Sequence, residues 1–209
     1  MRKRQFSSKV LKKIPELSCV NGYFYTLPVE HVLSGFLCEA KSSWDEIHQF
    51  TFPFFDRAGF LHLTYSCCIS SIDYSNVPKN DLADEFVARI QPLISKAYEA
   101  SSLEGFIAFL DQDDKNKSRV HPSRRTAIGY GYALLGDKDK AIAALDIAVN
   151  DHLVKLDQKV HLDCLLILTY LCNNQMIEAQ KLLCDWEAET RNWLKVSTMR
   201  HSMALKVKG

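Results

Sequence analysis

A chain of 209 residues with 47% hydrophobic residues is long enough to bury a substantial core. Its 26 basic and 25 acidic side chains give a formal net charge of +1. That balance argues against a duplex nucleic-acid binder, because such a protein needs a basic excess to neutralise phosphates. No apolar run approaches the roughly 18 residues of a membrane-spanning helix, so a membrane partner is not expected.

The N-terminus is basic but lacks the apolar stretch of an export signal, so a cytoplasmic location is expected. The seven cysteines are an odd number and lie among apolar neighbours, which is typical of free thiols in a reducing compartment. Residues 1 to about 15 are predicted to be an extended lead-in. Their charges favour a solvated tail, with an arm for nucleic acid or an anionic surface as the alternative: Arg2, Lys3, Arg4, Lys9, Lys12 and Lys13.

Residues 1–75 are predicted to form a mainly β region, because most of the aromatic residues lie between 20 and 72 and aromatic side chains favour strands. The period-two alternation in 60–69 predicts a strand, and 22–27 and 32–39 are predicted to be further strands. A turn at 56–59 would pair 51–55 with 60–69. Residues 44–50 are predicted to be a short helix that begins after Ser42 or Ser43.

Residues 80–209 are predicted to form a helical region, with one continuous domain over both regions as the alternative. After a polar junction at 73–81, the apolar period changes from two to 3.6. The first helix is expected to kink or restart at Pro92. A second apolar stripe covers 103–110, and the polar residues 111–119 are predicted to be a loop.

Residues 124–149, RRTAIGYGYALLGDKDKAIAALDIAV, predict two short helices folded back on each other. Small residues would let the helices approach, and larger ones would fill the gaps. The segment resembles a tetratricopeptide repeat, and a weaker copy follows 38 residues later. The first copy is carried by Ile128, Gly129, Tyr132, Gly136, Asp137, Ala141, Leu145 and Ala148. The chain is therefore expected to be α+β, with an antiparallel β segment followed by a tetratricopeptide-like helical array that binds a protein.

No motif for catalysis, metal or cofactor binding is recognisable. The sequence has no paired Cys-x-x-Cys, no Gly-x-Ser-x-Gly elbow and no glycine-rich phosphate loop. The acidic run at 111–114 lacks the turn glycine of a calcium loop, and Pro122 stands where its glutamate should be. No cofactor and no metal site are therefore predicted, and an enzyme is the less expected class.

Two charged groups are the candidate binding residues. The basic group at the start of the repeat helix would hold an anion, unless it is a solvated helix end neutralised by nearby acids. The acidic group is the first place to seek a surface that binds a basic partner. The candidates are Asp111, Asp113, Asp114, Arg119, Arg124 and Arg125.

The N-terminal half, GYFYTLPVEHVLSGFLCEAKSSWDEIHQFTFPFF followed by FLHLTYSCCI, resembles small bacterial proteins often found beside toxin genes. The resemblance implies an immunity protein that neutralises a toxin domain by binding it. One alternative is a small hydrolase or nuclease that uses Glu30, His31, Arg57 and His62. Another is an adaptor that holds a peptide in a helical groove.

Overall fold

The computed structural model describes residues 3–57, 63–73, 75–78, 80–115 and 121–194. It confirms the α+β class, with an antiparallel sheet in the N-terminal half and a helical C-terminal half. The chain divides into two compact units, residues 1–52 with 65–102 and residues 53–64 with 103–209. Compactness does not measure independent folding, so separate domains at 1–75 and 80–209 stay a prediction.

The first unit contains a five-stranded sheet whose strands neighbour one another in chain order. The strands are β1 (Leu17–Val20), β2 (Tyr23–Thr26), β3 (Val32–Ala40), β4 (Trp44–Pro53) and β5 (Ser66–Asp73). The first four strands pair through short connections, whereas a longer segment, residues 54–65, joins β4 to β5.

The connection between β1 and β2 is a two-residue turn. Asn21 and Gly22 have φ angles of 53° and 91°, and Val20 pairs with Tyr23 across the turn. Two consecutive residues with positive φ match the twist of the flanking strands, and Asn-Gly is the preferred pair.

Gly35 lets β2 and β3 approach closely. It pairs with Tyr25, and a Cβ atom at position 35 would lie 1.9 Å from the carbonyl oxygen of Phe24. Backbone cannot move aside as a flexible side chain does, so only glycine fits here.

The helix predicted at 44–50 is wrong, because these residues lie in β4. Asp45, Ile47 and Gln49 are buried, and the residues between them are more exposed. That alternation satisfies the period of a strand and not that of a helix. The strand predicted at 60–69 begins only at Ser66, and residues 58–62 lie outside those described.

The extended lead-in predicted for the N-terminus is also wrong over residues 3–13, which form α1 (Lys3–Lys13). Phe6 packs 5.9 Å from Phe24 and 5.4 Å from Phe86, measured between ring centroids. Val10 is fully buried in the same core. Apolar residues four apart share one face of a helix, and burying that face stabilises α1.

Two further helices complete this core: α2 (Leu82–Ile90) and α3 (Ile94–Glu99), joined by a 3-10 turn (Gln91–Leu93). The break at Pro92 confirms the predicted restart, because proline lacks the N–H that a continuous helix needs. Phe86, Ile90 and Ala97 are fully buried.

In the described part of the second unit, a short 3-10 turn (Phe54–Asp56) precedes a series of α-helices. Its first helix continues into the loop predicted at 111–119, of which 116–120 lie outside the described residues. The helices are α4 (Leu103–Lys115), α5 (Pro122–Leu134), α6 (Lys138–Asn150), α7 (His152–Leu156), α8 (Gln158–Cys172) and α9 (Met176–Leu194).

Gly129 of α5 lies close against Leu145 of α6. A Cβ atom there would lie 2.6 Å from Cγ and Cδ2 of the buried Leu145. The turn between the helices contains Gly136, with a φ of 78°, and the Asp137 carboxylate accepts the first-turn N–H of Lys140 at 3.3 Å. A glycine with positive φ, here Gly136, is typical of the end of a helix. The N-cap Asp137 begins the next helix.

Helix α9 packs against α5. The Gln180 side chain donates to the carbonyls of Ala133 at 3.1 Å and Leu134 at 3.2 Å in the last turn of α5. Tyr130 and Trp186 pack edge to face at 5.8 Å. These contacts join the helices of the two sequence copies, and the tetratricopeptide resemblance itself stays a prediction.

Candidate functional site

An open groove of about 720 Å³ lies in the helical unit, beside the short helix α7. Its volume is in the range of sites that bind small molecules or side chains of a partner. Its lining combines an apolar wall with polar groups: His121, Ser123, Leu153, Val154, Leu156, Asp157, Gln158, Lys159 and Val160.

Two aspartates fix the geometry of this groove. The Asp151 side chain accepts the N–H of Leu153 at 2.8 Å at the start of α7. Asp157 ends α7 and accepts the N–H of Val160 at 3.1 Å at the start of α8. Each carboxylate satisfies an N–H that the first helical turn leaves unpaired, so both helices begin at defined residues.

The five-residue helix α7 points its apolar residues in opposite directions. Val154 is 2% exposed and anchors the helix, whereas Leu156 is 73% exposed at the rim of the groove. A single exposed leucine is ordinary on a protein surface. An exposed leucine beside a concave apolar wall is what a contact site for an apolar partner would present.

Helix α8 carries further exposed apolar surface. Leu162 and Leu166 are 55% and 42% exposed, and their spacing of four residues places them on one face. Ile177 at the start of α9 is 77% exposed and does not line the groove. The helical unit therefore exposes several large apolar side chains that do not contribute to its buried core.

The polar groups of the groove suit binding more than covalent chemistry. The first-turn N–H of Ser123 donates to Nδ1 of His121 at 3.4 Å, which caps α5. Asp157 is used as a helix cap, and Lys159 adds a positive charge beside it. The groove can hold an apolar group flanked by charges or hydrogen-bonding groups.

Two of the candidate binding residues pair inside the second unit. The Arg124 guanidinium is 1% exposed and donates to Asp113 Oδ2 at 2.7 Å and to the carbonyl of Thr64 at 3.0 Å. Burying a guanidinium is costly unless it is paired and hydrogen-bonded in this way. This arginine and this aspartate therefore contribute to the fold of the unit.

The other candidates are exposed or lie outside the described part of the chain. Asp111 and Arg125 have exposed side chains. The side chain of Asp114 and all of Arg119 lie outside the described residues. A partner-binding role for this set stays a prediction.

The residues of the enzyme alternative also differ in their surroundings. The Arg57 guanidinium donates to both Asp163 oxygens at 3.2 and 3.3 Å and lies 5.1 Å from the ring of Trp186. Glu30 is exposed, His31 is partly buried, and His62 lies outside the described residues. Arg57 is thus held by interactions that stabilise the helical unit.

No protein-family model matches this chain, and the curated proteins and the solved structures give no match either. The resemblances to tetratricopeptide repeats and to immunity-type proteins therefore rest on the quoted residues and stay predictions. Among the described residues, no helix is long and apolar enough to cross a membrane.

Proposed function

We propose that this chain is a protein-binding module whose helical unit receives an apolar side chain of a partner in the groove beside α7. The observation that carries the proposal is Leu156, which is 73% exposed at the rim of a concave site of about 720 Å³. Burying such an exposed leucine against a partner removes apolar surface from water, which favours association.

The lining defines the chemistry of the partner. Leu153 and Val160 offer an apolar wall, while Asp157 and Lys159 place opposite charges beside it. A partner segment with an apolar anchor flanked by charged or amide side chains is complementary to this arrangement. The near-neutral charge of the whole chain means that any strong complementarity is local.

More specifically, we propose an immunity protein of the cytoplasm that neutralises a bacterial toxin domain by covering its active site or a surface beside it. The resemblance of the aromatic N-terminal half to proteins encoded beside toxin genes supports this choice. A scaffold of packed helices also supports it, because a preorganised surface loses little entropy on binding.

Affinity capture with three baits tests the binding proposal. Wild-type chain, Leu156→Asp and Ile177→Asp would be used to capture proteins from the source organism, with quantitative mass spectrometry of each eluate. Leu156 and Ile177 have similar exposure, 73% and 77%, but only Leu156 lines the groove. We expect one partner to be captured by wild type and Ile177→Asp and to be lost with Leu156→Asp.

A growth assay tests the finer proposal. A toxin domain encoded beside this gene would be expressed with wild-type chain, Leu156→Asp or Ile177→Asp. Rescue of growth by wild type and Ile177→Asp, but not by Leu156→Asp, is the expected result. Growth arrest in all three cultures would contradict the immunity role, and the captured partner would then identify another binding function.

A further inference from the structure

The turn between β3 and β4 brings three potential metal ligands together. The Lys41 N–H donates to the carbonyl of Trp44 at 2.9 Å, which leaves Ser42 and Ser43 in the turn. Side chains alternate along a strand, so Glu46 and His48 of β4 share one face. One ligand atom each of Glu39, Glu46 and His48 lie within 4.8 Å of one another.

The two distances from His48 match the edges of a metal coordination tetrahedron. Nε2 of His48 lies 3.4 Å from Oε2 of Glu39 and 3.4 Å from Oε2 of Glu46. Ligands about 2.0–2.1 Å from a tetrahedral Zn²⁺ are roughly 3.3–3.4 Å apart. A metal ion would therefore fit among these three atoms after small side-chain movements.

The imidazole of His48 is short of hydrogen-bond partners. Both ring nitrogens are closed to solvent, and neither makes a contact with hydrogen-bond geometry, despite the nearby carboxylates. The side chain as a whole is only 12% exposed. Buried polar atoms are normally satisfied, and a metal bond at Nε2 would satisfy this one.

The charges of the cluster are only partly compensated. The carboxylates of Glu39 and Glu46 have oxygens within 4.8 Å of each other and therefore repel. Lys41 Nζ lies 3.0 Å from Oε1 of Glu39 and 3.5 Å from Oε2 of Glu46. The Lys41 side chain is 33% exposed, so its ammonium can move into solvent and leave both carboxylates to a divalent cation.

The two carboxylate oxygens of Glu46 have different neighbours. The Trp44 indole donates to Oε1 at 3.4 Å, and Oε2 is the atom that faces His48.

We propose that Glu39, Glu46 and His48 form a site for one Zn²⁺ ion, with Lys41 displaced and a fourth position open to water or an added ligand. An imidazole with two carboxylates suits Zn²⁺ better than Ca²⁺ or Mg²⁺, which take mainly oxygen ligands. The site lies on the sheet and is independent of the groove beside α7.

Zinc titration of the full chain tests the site. Wild type is expected to bind one Zn²⁺, and His48→Gln and Glu39→Gln should each weaken binding by at least about tenfold, since even residues that only support a ligand have effects of that size. His152→Gln, which changes an exposed histidine of α7, is the matched control and should bind as wild type does. Lys41→Met should tighten binding, because it removes the competing ammonium.

X-ray absorption at the zinc edge identifies the ligands, since cysteine thiolates are also ligands for zinc. The site predicts nitrogen and oxygen ligands at about 2.0 Å, whereas a cysteine site would give sulfur at about 2.3 Å. Circular dichroism would check that each variant is folded. Four results would overturn the proposal. They are the absence of stoichiometric zinc binding, a spectrum dominated by sulfur, wild-type affinity in folded His48→Gln and Glu39→Gln, and weaker binding in Lys41→Met than in wild type.

Discussion

Arg124 and Arg125 are neighbours in the sequence with opposite surroundings. Arg124 is buried with Asp113, and Arg125 is exposed. Arg124→Leu leaves a carboxylate that is only 13% exposed without its cation, so we expect the free energy of unfolding to fall by about 3–5 kcal/mol. Arg125→Leu should change it by less than about 0.5 kcal/mol. Urea denaturation of both variants measures the difference.

The double variant Arg124→Leu with Asp113→Asn removes the orphaned charge and should recover much of the lost stability. Equal effects of the two single leucine variants would contradict the assignment of Arg124 to the core.

Cys164 is a second residue whose environment decides its chemistry. It is fully buried, and burial raises the pKa of its thiol to about 12, although a hydrogen bond with Thr126 acts in the opposite direction. Only the thiolate reacts rapidly with iodoacetamide. At pH 8.5 we expect the exposed Cys172 to be alkylated quickly and Cys164 only after unfolding, as measured by mass spectrometry.

The sign of the associated pH effect follows from the raised pKa. The folded chain holds the thiol proton more tightly than the unfolded chain, whose cysteine titrates near 9.0. This contribution to stability is present below the unfolded pKa and is lost as the pH rises from there towards 12. Rapid labelling of Cys164 in the folded chain would contradict its burial.

The sequence could not separate Arg124 from Arg125 by charge or spacing. The partners that bury Arg124 include the carbonyl of Thr64, 60 residues away along the chain. A local pattern carries no information about such a distant acceptor. The sequence therefore predicts a binding role for both arginines, although Arg124 is buried and paired with Asp113.

At the scale of elements, Gly129 and Gly131 are a matched pair in α5. A methyl group at 129 meets Cγ and Cδ2 of buried Leu145 at 2.6 Å, whereas one at 131 meets Cδ1 of Ile107 at 3.2 Å. Overpacking costs about 1–3 kcal/mol, and Gly→Ala inside a helix gains about 1 kcal/mol. We expect Gly129→Ala to lower the free energy of unfolding by about 1 kcal/mol and Gly131→Ala to leave it unchanged or higher.

Thermal and urea unfolding of both variants provide the comparison, with Leu145→Val added to Gly129→Ala to make room. Recovery of stability in that double variant is expected, since the smaller side chain removes the contact. A Gly129→Ala variant more stable than Gly131→Ala would contradict the close approach of α5 and α6.

The 3.6 period predicted helices in the C-terminal half, whereas β5 begins only at Ser66 although the period-two alternation begins at residue 60. The errors at 44–50 and at the N-terminus have physical reasons. Asp45 and Glu46 suit the first turn of a helix and so predict one at 44–50, yet Asp45 is 2% exposed in a strand. The charges of the N-terminal residues predict a solvated tail. Phe6 and Val10, four residues apart, were the signal that α1 has an apolar face.

At the scale of the whole molecule, the groove beside α7 was not predicted from the sequence. Its lining comes from the start of α5, from α7 and from the start of α8, and no single segment shows it.

Zinc ligands were missed for a similar reason. Glu39 lies on one strand, and Glu46 and His48 lie on the next, so their spacing matches none of the familiar metal motifs. Only the pairing of β3 with β4 brings the three together. The expectation of no metal site came from motifs that are continuous in sequence.

The central claim is that the groove beside α7 binds a protein partner, and calorimetric titration of the captured partner tests it most directly. Leu156→Asp should raise the dissociation constant at least about tenfold, which corresponds to about 1.4 kcal/mol of binding free energy, while Ile177→Asp should bind as wild type does. Equal affinity of wild type and a folded Leu156→Asp variant would contradict the account.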